Sequence, residues 1–296
     1  ETQVKIINMK TYLDFASTTP MAPEVIEEMH AVMSEDSFGN PSSLDHQFGI
    51  SANNIVEQSR NEVANLINAN PEEILWTSGA TESNNLAIVG FHQFQYKGHP
   101  LRFTTSYLEH KSVIESMRSI EELESKVSFI QPNKDGQIDL ETFTSQLNPD
   151  AIFASCMHIN NETGVVNEIK EIGKYCKKNE IIFHVDAAQS IGKIPIDVKE
   201  MCIDLMSMSA HKVYGPKGVG ALYINKDSVG RVKSLIVGGG QERGMRSGTL
   251  PTHQIAGMAS AYRVSKQRMH DDLEHIQQCR DAFLKTPSSL NGWKIN

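Results

Sequence analysis

The sequence predicts an α/β protein built on a mostly parallel, seven-stranded sheet covered by helices. Three observations predict it. From about Pro71 onward, short apolar runs of β character alternate with longer amphipathic stretches, the pattern of strands joined by helical crossovers. Most of the short runs are continuously apolar, as strands buried on both faces must be. The chain has 296 residues, 39% of them hydrophobic and 22% charged, so it can bury a large core without staples.

Taken in chain order, Pro23 to Met33 reads as a helix with proline in its first turn, and Ile50 to Ile67 as a second, longer helix. The strands fall at Ile74–Thr77, Phe103–Thr105, Val127–Ile130, Ala151–Met157, Ile181–Val185, Leu205–Met208 and Gly220–Ile224. Between them, helices are expected at Glu82–Tyr96, Ser112–Leu123, Leu140–Leu147 and Val166–Lys178. Thr252 to Leu284 holds one Gly and no Pro, with Ile255, Met258, Tyr262, Met269, Leu273 and Ile276 at roughly helical spacing, and reads as a long connecting helix. The residues ahead of Met9 read as an upstream extension or expression remnant and are given no fold meaning. Lys285 to Asn296 is too short for another domain.

Composition narrows the function. A net charge of −8 and an isoelectric point near 5.8 argue against a broad surface for nucleic acid or anionic membrane, since both need clustered Lys and Arg. No apolar run approaches the roughly 18 residues that span a bilayer, and no basic-then-apolar leader opens the chain. Cys156, Cys176, Cys202 and Cys279 lie far apart with no CxxC pair, which suggests neither a zinc site nor a disulfide framework and fits a reducing, cytoplasmic setting. The expected ligand is small, and no metal is expected.

Three motifs carry chemistry. In Ser209-Ala210-His211-Lys212-Val213-Tyr214-Gly215, a single lysine follows an apolar strand and precedes a glycine-rich turn. Such a lysine can lose its proton and attack an aldehyde cofactor, because only the neutral amine is nucleophilic. Spacing alone favours a surface lysine in a turn. In Phe183-His184-Val185-Asp186-Ala187-Ala188-Gln189, an acid closes a buried strand, where it needs a partner. A pyridinium nitrogen would serve: each charge would stabilise the other and leave the ring able to accept electrons. A helix N-cap is the plainer alternative. In Thr77-Ser78-Gly79-Ala80-Thr81-Glu82-Ser83-Asn84, small and hydroxyl residues join a strand to a helix start, where backbone N–H groups and the positive helix end receive phosphate. Thr81 with Asn84 reads equally as ordinary capping.

These segments, with Asn160-Asn161-Glu162-Thr163-Gly164 and Gly238-Gly239-Gly240-Gln241-Glu242-Arg243-Gly244-Met245-Arg246-Ser247-Gly248-Thr249, resemble the cysteine desulfurases of the NifS/IscS branch. Those enzymes are class V aminotransferases of fold-type I that use pyridoxal 5'-phosphate. The likeness runs in order from about Tyr12 to Tyr262. It implies a large cofactor-binding domain over residues 21–262, with residues 1–20 and 263–296 belonging to a smaller domain, the latter through a connecting helix.

The resemblance also implies roles. Lys212 would hold the cofactor as a Schiff base, Asp186 would pair with the pyridine nitrogen, and His110 would stack on the ring and assist proton transfer. Gln189 and Asn161 would sit near the phenolic oxygen. Ala80, Thr81, Ser209 and His211 would hold the phosphate, joined by Thr249 from the second subunit of a homodimer. By itself, His110 reads as a surface histidine at a strand end. L-Cysteine would be the substrate, giving alanine and a persulfide destined for a sulfur-acceptor protein such as an iron–sulfur scaffold. The family's acceptor cysteine and its substrate-binding arginine would lie in a further C-terminal region that this sequence does not contain, so the chain as it stands is expected to bind cofactor without turning over. Cys156, Cys176 and Cys279 read instead as buried or structural thiols, and Cys202 as part of a linker. A small-amino-acid aminotransferase, a selenocysteine lyase and a non-catalytic cofactor binder are the competing readings; the NNETG and GGGQERGMRSGT segments favour the desulfurase.

Overall fold

The computed structural model describes residues 11–34 and 37–288. The residues ahead of Met9, and the last residues of the expected small-domain piece, lie outside that range. Seven strands form one sheet in the order β1-β7-β6-β5-β4-β2-β3: β1 (Ile74–Thr77), β2 (Arg102–Ser106), β3 (Lys126–Ile130), β4 (Phe153–Ser155), β5 (Ile182–Asp186), β6 (Leu205–Ser209) and β7 (Gly220–Ile224). β7 pairs antiparallel with both neighbours, while β2, β3, β4, β5 and β6 pair in parallel. The mostly parallel, seven-stranded sheet expected from the sequence is therefore present.

The helices are α1 (Pro23–Val32), α2 (Gln47–Leu66), α3 (Ala80–Asn85), α4 (Phe91–Gln95), α5 (Lys111–Glu121), α6 (Leu140–Gln146), α7 (Ile169–Lys178) and α8 (Thr252–Ser288). A π-helical turn, Leu86–Gly90, links α3 to α4 without a break. At Gly90 a side chain would meet the carbonyl oxygen of Lys233 at 2.7 Å, so glycine lets the 232–233 loop lie against the helix.

Each sheet face buries its own core. One face packs Val63, Phe183, Met206, Ile255 and Met258 under α2, α7 and α8. The other packs Leu86, Phe91, Val113 and Met117 against Phe103, Phe153 and Leu205, with the Phe91, Phe103 and Phe153 rings about 5–6 Å apart. Strand β4 is shorter than the apolar run that predicted it. Past Ser155 the backbone still bonds to β5, through Cys156 N–H to His184 and His158 N–H to Asp186, but the regular ladder ends and Met157 faces the site.

Helix α8 departs from expectation along its length. Ile255, Met258 and Tyr262 are buried against α1 and α2, whereas Leu273, Ile276 and Phe283 are exposed. The sequence assigned Cys279 to a packed element; the structure corrects this, because the outer half of α8 leaves the body and Cys279 is exposed beside His275. Cys156 and Cys176 are buried, and Cys202 is half-buried in a loop.

A candidate active site at the ends of the parallel strands

The carboxyl ends of β1, β2, β4, β5 and β6 open onto one cleft of about 680 Å³. That edge is where open parallel sheets place ligands, since each strand there gives way to a loop and a helix N-terminus. The cleft brings together Ala80, Thr81, His110, Asn161, Asp186, Gln189, Ser209, His211 and Lys212, nine of the ten positions singled out in the sequence. Thr249 is the exception. It is exposed, on the loop after Ser247, and does not line this cleft.

Asp186 ends β5 and is 4% exposed. Both carboxylate oxygens accept hydrogen bonds: Oδ2 from Asn84 Nδ2 at 2.8 Å, Oδ1 from the Ala188 N–H at 2.9 Å. These donors are neutral, so the buried charge still lacks a counter-ion in contact. Lys212, three residues beyond β6, is half-buried in the same cleft. Burial lowers its pKa from the ordinary lysine value, while the negative charge of Asp186 works in the opposite direction.

His110 caps α5. Its Nδ1 accepts the Ser112 N–H at 3.1 Å, which leaves the ring's hydrogen on Nε2. On the opposite wall, Gly79 adopts φ +150°, a left-handed conformation that suits glycine, and opens the first turn of α3, whose leading N–H groups have no partner inside the helix. Ser209 Oγ is buried without a protein partner. The segment 14–19 closes the cleft from above: Thr18 Oγ1 pairs with His211 Nδ1 at 3.1 Å, and Thr19 donates both its N–H and its hydroxyl to the His211 carbonyl. Burial, then the charges of Lys212 and Lys217, lower the pKa of His211.

Sequence patterns did not single out several residues that shape the site. Asn84, 102 positions from Asp186, appeared only as a capping residue. Glu109 is buried next to His110; it accepts the Met157 N–H at 2.7 Å and the Ser106 hydroxyl, and burial, with the nearby charge of Asp186, pushes its pKa up to about 8. Lys193 donates to Gln189 Oε1 at 3.0 Å. The loop that carries Thr249 is anchored by a buried ion pair, Arg60 with Glu242 at 2.7 Å, whose side chains are 5% and 2% exposed. Glu242 also accepts the Trp76 N–H, and both Glu242 and Arg243 hold positive φ. Asn84 and Glu242 lay inside quoted segments, but nothing local gave them these partners; only the fold brings the partners together.

The family model described as aminotransferase class-V matches residues 11–296. The cysteine desulfurase IscS of Methylobacillus flagellatus is 49% identical over 285 residues, covering 96% of this chain and 70% of that protein. The chain belongs to the cysteine desulfurase branch of the class V aminotransferases. A solved NifS-like protein superposes with a TM-score of 0.89 at 35% identity, covering 94% of this chain and 75% of that one. A solved structure of SspA in complex with cysteine gives a TM-score of 0.80 at 39% identity, over 86% and 72% of the two chains.

Cysteine desulfurases of this family depend on pyridoxal phosphate. The residues present fit that cofactor on three structural grounds. A buried acid holds only neutral donors, a buried hydroxyl at Ser209 has no protein partner, and a glycine-led helix start faces a half-buried lysine across the cleft. Among the described residues, no group of three or more His, Cys, Asp or Glu is placed to hold a metal, and no helix is long and apolar enough to cross a membrane.

Proposed function

We propose that this cleft holds pyridoxal phosphate on Lys212 and acts there on L-cysteine. The observation that carries the proposal is the pairing of Asp186 and Lys212 at the ends of adjacent strands, one buried and lacking a cation in contact, the other half-buried and pushed towards its neutral form. When bound, the cofactor supplies an electron-poor ring that withdraws charge from the substrate's Cα.

The chain's own residues do the rest. Ala80, Thr81, Ser209 and His211 bind the phosphate, using the first-turn N–H groups of α3 and the free Ser209 hydroxyl. Asp186 would hold a proton on the ring nitrogen, and Asn84 and Ala188, which donate to its two oxygens, would keep the carboxylate aimed. His110 would stack on the ring, and Asn161 and Gln189 would offer amide N–H groups to the phenolic oxygen. Lys212 Nζ would hold the cofactor and, when free, would take up the substrate's Cα proton; burial favours the neutral amine this requires.

None of the four cysteines lines the cleft, so the thiolate that accepts sulfur comes from elsewhere. A sulfur-acceptor protein such as an iron–sulfur scaffold is the expected onward partner, in a reducing, cytoplasmic setting that four unpaired thiols suit. Thr249 lies outside its own cleft, which supports a two-fold dimer in which each subunit lends this residue to its neighbour's phosphate site. Residues 21–262 form the cofactor-binding body; 1–20 and 263–296 belong to a smaller domain, consistent with the emergence of α8 from the core past Ser265. Borohydride reduction of the cofactor-loaded protein, followed by peptide mapping, should place the label on Lys212. A label on any other lysine would falsify the assignment.

A further inference from the structure

We infer that Lys193 is a positioning residue that fixes the Gln189 amide, so that Gln189 presents its N–H side, and never its carbonyl, to the cofactor. The inference rests on the cofactor placement proposed above. Gln189 is 7% exposed and lines the cleft, yet both ends of its amide are engaged. Oε1 accepts from Lys193 Nζ at 3.0 Å, and Nε2 donates to the Ala16 carbonyl at 2.8 Å.

An amide side chain can normally turn over and exchange oxygen for nitrogen. Here it cannot do so without loss. A lysine ammonium only donates and a backbone carbonyl only accepts, so a single orientation satisfies both neighbours. That orientation spends one Nε2 hydrogen on Ala16 and leaves the second for an acceptor in the cleft. Without Lys193, Oε1 loses its fixed partner and the Ala16 carbonyl alone sets the amide, so the orientation is held less firmly. The same contact ties β5's outgoing turn to the 14–19 segment, because Lys193, Gln189 and Ala16 form one chain.

The electrostatic setting agrees. Burial, then repulsion from Lys212, pushes the Lys193 pKa down to about 8. Lys212 is the charged group that acts on it; Asp186 supports the charge on Lys212, and Lys217 lies on the same wall, where it and Lys212 lower the pKa of His211. A lysine kept there against burial and a like charge is held by its bond to Gln189. Protonated or neutral, it can donate to Oε1; the neutral amine could also accept, and above that midpoint the Ala16 carbonyl keeps the amide's orientation.

The test is a pH titration of the bound cofactor's visible absorption in four proteins: parent, Lys193→Met, Gln189→Ala and the double variant. Borohydride labelling of Lys212 is run on each. A hydrogen bond to the phenolic oxygen stabilises its anion and favours loss of the neighbouring proton, so losing the bond should raise the midpoint. Lys193→Met is expected to raise it by half a unit or more, Gln189→Ala by a similar amount, and the double variant by no more than Gln189→Ala alone. Lys193→Arg, which keeps a donor, should titrate within about 0.2 units of the parent, and it serves as the second variant if Lys193→Met loses cofactor. An unchanged midpoint in Lys193→Met, or additive shifts in the double variant, would overturn the inference. Loss of the Lys212 label in the parent would instead overturn the cofactor placement beneath it.

Discussion

Asp186 and Asn84 permit a swap that separates what the acid does for the fold from what it does for the cofactor. In the parent, Asp186 presents two acceptors to two donors, the Asn84 amide and the Ala188 N–H. Asp186→Asn offers one acceptor and one donor, so it can satisfy Ala188 but then sets its own NH₂ against that of Asn84. A buried donor left without a partner costs about 1–3 kcal/mol, and the two side chains are 4% and 0% exposed, so solvent does not relieve it. Exchanging the pair, Asn84→Asp with Asp186→Asn, restores complementarity: the amide moved to position 186 donates to the carboxylate moved to position 84 and accepts from Ala188. Stability by urea unfolding should fall by about 1–3 kcal/mol in the single variant and return to within about 1 kcal/mol of the parent in the swap. Function should not return with it. Asp186 lines the cleft and Asn84 does not, so the swap withdraws the carboxylate from the cofactor. Exchange of the Cα hydrogen of L-alanine, followed by NMR in deuterated buffer, should stay at least roughly tenfold below the parent, the equivalent of one lost charged hydrogen bond. A swap that exchanges as fast as the parent would show that the carboxylate at 186 is not the ring's partner.

Other expectations follow from buried charges. Glu242→Ala strands the Arg60 guanidinium, 5% exposed, with the Ile74 carbonyl, the Trp76 ring and the outward-facing Glu57, and should cost about 3–5 kcal/mol in chemical unfolding; replacing both partners by Met and Leu should recover part of that, since the Trp76 N–H then lacks its acceptor, and a loss below about 1 kcal/mol for Glu242→Ala would refute a structural role for the pair. For Glu109, the folded pKa of about 8 lies above the ordinary value of 4.5, so the native state binds more protons between those limits. Its contribution is intact below pH 4.5 and is lost as pH rises towards 8, so parent stability should decline more steeply from pH 5 to 9 than that of Glu109→Gln, whose carbonyl can still accept from Met157; parallel curves would sink the assignment. His158 and His184, whose pKa values burial depresses to about 4, act at the other end. Their unfolded forms take up protons below about 6.5, so stability should fall as pH drops from 6.5 to 4, and His184→Asn should soften that fall in thermal unfolding.

The strands were legible because burial on both faces leaves little room for polar residues, and all seven appeared within a few positions of their observed limits. Helix starts were harder, for reasons specific to each. Helix α2 begins at Gln47 and not Ile50, because His46 caps it by accepting the Gly49 N–H. The glycine masks the start, yet a side chain there would meet the Ser43 carbonyl at 1.8 Å. Helix α7 begins at Ile169 and not Val166, since Val166 pairs with Ile159 and Asn167 bonds both Met157 and Ile138. Those are loop contacts, one of them 29 residues away in the chain, that no periodicity announces. The same division holds in the cleft. Lys212 and Asp186 were visible because a charge at the end of an apolar strand is locally odd, whereas Asn84, Lys193 and Glu242 are ordinary in their own sequence context.

That division has a physical source in the sheet itself. Asp186 pairs with Ser207 across β5 and β6, so the register alone sets the acid beside the turn that carries Lys212. Left as a bare pair, these two groups would each stabilise the other's charge, and Lys212 would stay protonated and inert. Burial offsets this by penalising the ammonium, while Asn84 and Ala188 supply the carboxylate with neutral donors that lessen its need for the lysine. The residues that tune the pair thus come from α3 and the β5 turn. In the proposed placement, a ring nitrogen that carries its own proton would take the place beside Asp186 that Lys212 would otherwise compete for, leaving the amine free for chemistry.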